Sequence, residues 1–176
     1  AKSETEEKVW VEAGKLRERL VKVGRHIPPV AESLNGFLSR FDAAYNPLTM
    51  HGLRPIVALS ATHHRLMWIH PFLDGNGRVA RLFTDAYFEK INFEGYGLWN
   101  VSRGLARKRD DYRKYLAAAD SERENDFDGR GNLSDKRLTE FCSFFLETCL
   151  DQAEYMNNLL SLTGFLERLE KYVQLR

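Results

Sequence analysis

Cysteine, proline, one-sided charge and long apolar runs are all scarce in this chain. Its 176 residues include two Cys and five Pro, and 26 Lys plus Arg stand against 25 Asp plus Glu, a formal net charge of +1. Cys142 and Cys149 lie in a stretch of helical periodicity, about two turns or roughly 10 Å apart. That is too far to bridge, so both read as free thiols of a reducing compartment. The apolar runs are only a few residues long and the first eight residues are mostly charged, which excludes a membrane-spanning helix and a secretory signal peptide. A cytoplasmic, soluble protein without membrane contact is therefore expected. Balanced charge also argues against a nucleic-acid footprint in this segment. What is present is 43% hydrophobic and 12% aromatic residues, enough for a self-sufficient core in a chain that can bury roughly 70% of its unfolded surface. The first residue is Ala, which fits a piece of a longer polypeptide.

Helical spacing dominates from Pro29 onward. Val30, Leu34, Phe37, Leu38, Phe41 and Tyr45 recur at intervals of three and four, and Asn46-Pro47 is a stop signal. A second helix is predicted from about Arg54 to Ile69, with Pro55 in its first turn, where a missing N–H is harmless. A third resumes at Arg78 and runs to Ile91 with a stripe of Val79, Leu82, Phe83, Ala86 and Tyr87. Ser102 is the expected cap of a helix reaching Ala119, and Ser134 that of one from Asp135 towards Leu160. Asp120 to Asn132 is polar and reads as a surface loop. Near the front, Val21-Lys22-Val23 and His26-Ile27 flank Gly24-Arg25, the pattern of a two-residue hairpin. The expectation is an all-α fold with one small β-hairpin. It is organised as an N-terminal segment 1–28 carrying the hairpin, a core 29–160 and a C-terminal helical extension 161–176.

Between the second and third helices lies His70-Pro71-Phe72-Leu73-Asp74-Gly75-Asn76-Gly77, which no helix interior would accept. Small residues just before a helix let successive backbone N–H groups point at an anion held by the positive end of the dipole. Arg78 and Arg81, three apart in the following turn, can both reach that anion. His70 offers a proton acceptor near neutral pH, and Asp74 a hard oxygen suited to Mg²⁺. Base, metal ligand, cradle and two cations together describe phosphoryl or nucleotidyl transfer from a nucleoside triphosphate.

The string His70 to Arg81 resembles the full signature of the Fic domain family, HPFx(D/E)GNGRxxR, at every defining position. Val101-Ser102-Arg103-Gly104-Leu105 and Tyr112 are similar to the segment that follows it in that family. The resemblance implies a Fic-type helical bundle with a flap, and an AMP transferase that moves AMP from ATP to a Ser, Thr or Tyr hydroxyl of a protein, itself included. It implies His70 as the base, Asp74 as the Mg²⁺ ligand, and Gly75, Asn76 and Gly77 as the anion hole. Arg78 would contact the transferred or leaving phosphates and Arg81 the γ-phosphate. Phe72 would anchor the loop in the core, and Tyr112 would belong to the nucleotide pocket. The Val21, Lys22, Val23 hairpin takes the place of the family's target-docking flap. Other activities carried by this scaffold are transfer of UMP or phosphocholine, and nucleotide binding without turnover as a regulatory module.

Two further patterns invite other readings. His63 and His64 precede the motif without metal-ligand spacing and are expected to pack or to support the loop. Glu124, Asp126, Asp128 and Gly129 imitate part of a Ca²⁺ loop, but position 12 is Asp135 in place of Glu, so a solvated loop is expected. The family's inhibitory pattern (S/T)xxxE(G/N) is matched nowhere; Thr163 to Glu167 has the spacing but is followed by Arg168. An inhibitory helix or antitoxin-like partner would thus lie outside this chain. A homodimer remains open. Without that restraint, self-modification is expected at Ser3, Thr5 or Ser121.

Overall fold

The computed structural model describes residues 11–162 and 164–175. The chain forms two compact units that divide at Thr84/Asp85. Among the described residues there are seven α-helices and no strand. The expected hairpin reduces to one antiparallel bridge, in which the Val23 and His26 N–H groups each donate to the other's carbonyl at 3.0 Å across Gly24-Arg25. Gly24 has φ +61°, the left-handed conformation such a turn asks of its first residue. No ladder extends from it because Pro28 and Pro29 follow at once, and proline has no N–H to donate.

In the first unit, α1 (Leu34–Tyr45) packs on α2 (Arg54–Ile69), and α3 (Asn76–Lys90) starts six residues after α2 ends. The spacing of Leu34, Phe37, Leu38 and Phe41 does put one face of α1 into the core. Leu34, Phe41, Leu66, Ile69 and Ala80 are buried together, with Phe37, Trp68 and Phe83 packed against them. Edge-on ring contacts of Phe37 with Trp68 at 5.4 Å and of Phe41 with Phe83 at 5.3 Å tie this layer together. Of the stripe expected on α3, Val79, Phe83 and Tyr87 turn inward and Leu82 and Ala86 do not. Leu82 is 67% exposed and Ala86 is exposed, while Ala80, Thr84, Tyr87 and Phe88 are buried. Asn46 ends α1 as expected and accepts a hydrogen bond from the Leu48 N–H.

The second unit holds α4 (Val101–Arg107), α5 (Arg109–Ala118), α6 (Asp135–Leu160) and α7 (Phe165–Gln174). The single helix expected from Ser102 is two. Asn100, rather than Ser102, caps α4 by accepting from the Arg103 N–H at 3.0 Å, and the chain leaves helical geometry at Lys108. Ser134 caps α6 as predicted, accepting from Arg137 N–H at 3.1 Å. Gly104 meets α6 so closely that a Cβ there would lie 2.5 Å from Thr148 Cγ2. The loop before α6 uses Asp128 as an internal clamp. Its carboxylate accepts from the Lys136 and Glu124 N–H groups, which pull its pKa down to about 2. Cys149 is buried and Cys142 partly so, and neither is in a disulfide; burial pushes the Cys149 thiol up to about 12. No helix among the described residues is long and apolar enough to cross a membrane. Ser3 and Thr5 lie outside the described residues, as does Thr163 of the near-match to the inhibitory pattern.

Candidate active site

The candidate residues from His70 to Arg81 fall within the first unit, at the join of α2 and α3. Pro71 cannot continue α2, and the helix closes with His70 in the left-handed region (φ 50°, ψ 62°) and its N–H on the Leu66 carbonyl at 3.1 Å. A side chain other than glycine pays on the order of 1–2 kcal/mol in that conformation, so contacts around it must hold it there. Six residues on, the Asn76 side chain closes the loop. Its Oδ1 accepts from the Phe72 N–H at 2.9 Å and its Nδ2 donates to the Phe72 carbonyl at 2.7 Å. Asn76 is 4% exposed. Phe72 itself is only partly buried while Pro71 is buried, so the loop is anchored by this amide clamp rather than by a phenylalanine sunk in the core.

Gly75 has φ +84°, and its carbonyl accepts from the Arg78 and Val79 N–H groups at 2.9 and 3.0 Å, which starts α3. The Asn76 and Gly77 N–H groups are the first of that helix and have no acceptor within it. The arginines lean back over this loop. A Cβ on Gly75 would meet Arg78 Nη2 at 3.2 Å, and one on Gly77 would meet Arg81 Nη1 at 3.6 Å. Gly75 therefore keeps free the space that the Arg78 guanidinium occupies, while a Cβ on Gly77 would meet Arg81 only at ordinary contact distance. His70, Leu73, Asp74, Gly75, Asn76, Gly77, Arg78 and Arg81 line one cavity of about 300 Å³. Asp74 stands at its exposed rim, paired with Arg78 at 3.1 Å. Among the described residues no carboxylate pairs with Arg81, and no cluster of three His, Cys, Asp or Glu could hold a metal by itself.

His70 is half-buried. Burial lowers its pKa; the nearby Met67 carbonyl and Asp74 act in the opposite sense, while Arg17 and His26 add to the lowering. Its Nδ1 is buried without a hydrogen bond of ordinary geometry. The imidazole is thus neutral at pH 7 and able to take a proton.

His63 and His64 are fully buried. The Thr84 hydroxyl donates to the Ala80 carbonyl at 2.9 Å, so its oxygen accepts from His63 Nδ1, also at 2.9 Å. This bond joins α2 to α3 across the motif loop. Burial, with Arg81 and His64 nearby, lowers the His63 pKa to about 3. The unfolded chain takes up this proton near pH 6.5 and the folded one does not, so His63 leaves stability intact above 6.5 and erodes it as pH falls towards 3. Each pH unit in that window removes up to about 1.4 kcal/mol. Urea unfolding at pH 7 and pH 5 should show the wild type losing roughly 2 kcal/mol more than His63→Gln; equal losses would mean the ring is not held neutral.

Four residues of the expected site lie outside the motif. The Val21-Lys22-Val23 arm is largely exposed, its turn fastened by His26 Nε2 to the Trp68 carbonyl at 2.8 Å. Tyr112 is half-buried on α5, in the second unit. Sequence reasoning missed Arg17, which is 2% exposed and bonded to the end of α2. An arginine whose partners are distant backbone carbonyls leaves no pattern in the sequence.

Fold and site together define a helical protein with a glycine-containing loop and two arginines at a helix N-terminus and a histidine in the same cavity. Residues 2–88, close to half of the chain, match the Fic/DOC family. It is 34% identical over 109 residues to a protein adenylyltransferase Fic of Nematostella vectensis, covering 62% of this chain and 24% of that protein. A protein of the same name from Drosophila mojavensis is 35% identical over 83 residues, 47% of this chain and 16% of that one. The chain thus spans a quarter or less of the length of these relatives. Among solved structures, a Fic family protein from Desulfovibrio desulfuricans superposes with a TM-score of 0.65 at 22% identity, covering 89% of this chain and 44% of that one. A Fic domain containing signaling protein from Bacteroides thetaiotaomicron gives 0.57 at 19%, covering 85% and 57%.

Proposed function

We propose that this chain transfers AMP from ATP to a hydroxyl of a protein, with residues 29–160 as the catalytic core. The observation that carries this reading is the single cavity in which a neutral histidine, a glycine loop at a helix N-terminus and two arginines meet. The relatives named protein adenylyltransferase support the choice of donor. His70 takes the proton of the target Ser, Thr or Tyr through Nε2, since Nδ1 is buried. The freed oxygen attacks the α-phosphorus of ATP, and the bond to the α–β bridging oxygen breaks, releasing pyrophosphate. The Asn76 and Gly77 N–H groups receive the phosphate oxygens, Arg78 the transferred or leaving phosphates, and Arg81 the γ-phosphate. Positioning and charge stabilisation dominate such a reaction.

Asp74 fits Mg²⁺ as a lone exposed carboxylate beside a phosphate cradle, the donor set of a metal held largely by substrate phosphates and water. When bound, the ion would neutralise charge on the α- and β-phosphates. The exposed Val23 and Ile27 flank a turn held on Trp68, which suits the 21–27 segment to align an extended target strand through its backbone. Tyr112 is carried over to the nucleotide pocket only by the likeness of its segment to the one that follows the motif in the family. Since the family's inhibitory pattern is matched nowhere in the sequence, any restraint is assigned to an inhibitory helix or antitoxin-like partner outside this chain. Self-modification would then use exposed hydroxyls such as Ser121.

A donor panel tests the reading against UMP and phosphocholine transfer. The protein is incubated with cell lysate and Mg²⁺ plus ATP, UTP or CDP-choline, and the added mass on modified proteins is read by mass spectrometry. ATP-dependent adenylyl adducts, absent with His70→Ala, are expected. Uridylyl or phosphocholine adducts in their place would reassign the donor, and nucleotide binding with no adduct would make this a regulatory module.

A further inference from the structure

We infer that Arg17 is a positioning residue for His70, fixing the backbone from which the imidazole is aimed. Three successive carbonyls at the end of α2 bond to this one residue. Its Nε donates to the His70 carbonyl at 2.7 Å, its Nη2 reaches the Ile69 carbonyl at 3.4 Å, and its own N–H donates to the Pro71 carbonyl at 2.9 Å. The same guanidinium donates to the carbonyls of Arg19, at 3.1 Å, and Pro29. These partners are neutral backbone oxygens rather than carboxylates, and the site is 2% exposed. A cation buried in this way is costly, and here it is offset by four side-chain hydrogen bonds and by its place at the negative end of the α2 dipole.

The geometry explains why an arginine is used. His70 occupies the left-handed region at φ 50°, and a strained cap persists only where its surroundings over-determine it. Carbonyls 69, 70 and 71 turn successively through that cap; the planar fork holds the first two at once, and the backbone N–H of the same residue holds the third. An ammonium on a flexible stem supplies charge without the fork. Because Arg17 also joins Arg19 to Pro29, it closes the base of the loop that carries the Val23–His26 turn. One side chain thus sets the base and the exposed arm in register, while the phosphate cradle at Gly75 to Arg81 is held separately, by Asn76.

The inference rests on the transferase reading, and the test separates the two. Arg17→Lys is compared with wild type, His70→Ala and the double variant. Nucleotide-competent sites are counted by calorimetric titration with ATP, and single-turnover transfer is expressed per competent site, so a partly unfolded preparation does not bias the rate. Arg17→Lys should slow transfer at least tenfold per site with ATP affinity within twofold, and should add nothing in the His70→Ala background. The His70 Cε1–H resonance in a ¹H–¹³C spectrum, assigned by its loss in His70→Ala, should move in Arg17→Lys, whether or not transfer is measured. An unchanged rate per site with an unmoved resonance would overturn the inference, as would a drop that only follows the number of ATP-binding sites. If the wild type transfers no AMP while the resonance still moves, the transferase reading fails and the positioning role stands.

Discussion

His70→Ala should slow transfer by about 10² to 10⁴ while leaving ATP binding largely intact, the range typical of removing a general base. The split follows from the geometry. His70 ends α2 and the phosphate cradle begins α3, with the Asn76 clamp on Phe72 fixing the cradle independently of the imidazole. The variant therefore loses a proton acceptor for the incoming hydroxyl and keeps the groups that hold the donor. Burial lowers the His70 pKa below 6.5, so the neutral, proton-accepting form prevails at pH 7 and is lost as pH falls through the lowered value. The acid limb of the wild-type pH–rate profile should accordingly lie below pH 6.5, and it should be missing from the residual rate of His70→Ala. Single-turnover assays across pH 5 to 8 would read both effects, and full activity of His70→Ala at pH 7 would remove His70 from the chemistry.

Arg81→Ala should weaken ATP about ten- to hundredfold, the loss of a charge-assisted hydrogen bond of roughly 1.5 to 3 kcal/mol. ADP and AMP should be affected far less. The Arg81 guanidinium leans over Gly77, and among the described residues no carboxylate competes for it, so it is available to a terminal phosphate. Arg78 differs because it already pairs with Asp74 at 3.1 Å. That pair is exposed and contributes little to stability, so it can open when a triphosphate arrives. Calorimetry with ATP, ADP and AMP on both variants separates the two arginines. Equal losses for the three nucleotides in Arg81→Ala would reject its assignment to the γ-phosphate.

The geometry of the candidate site was legible because its parts are contiguous. One loop of eight residues and the helix turn after it carry the histidine, the glycines and both arginines, and the shape of the loop follows from local rules about helix ends. The same holds for the Ser134 cap and the Asn46 stop. Where packing decides, the sequence misleads. Leu82 sits at helical spacing from Val79 and Ala86 yet faces solvent, because the side of α3 that meets the core carries Ala80, Thr84 and Phe88, and Thr84 reads as polar until its bond to His63 is seen. The break at Lys108 has no glycine or proline to announce it. Arg17 was invisible because its meaning lies in three carbonyls more than fifty residues away. The hairpin was legible as a turn and not as strands, since two prolines stop its pairing.

The central claim is that the α–β bond of ATP is cleaved and the α-phosphate is carried to protein. Parallel reactions with ATP labelled at the α- or at the γ-phosphate test it most directly, with wild type and His70→Ala side by side and incorporation read on a gel. The account predicts α-label in protein with wild type alone, and γ-label only in released pyrophosphate. Label from the γ-phosphate on protein, or α-label at equal rate with His70→Ala, would contradict it.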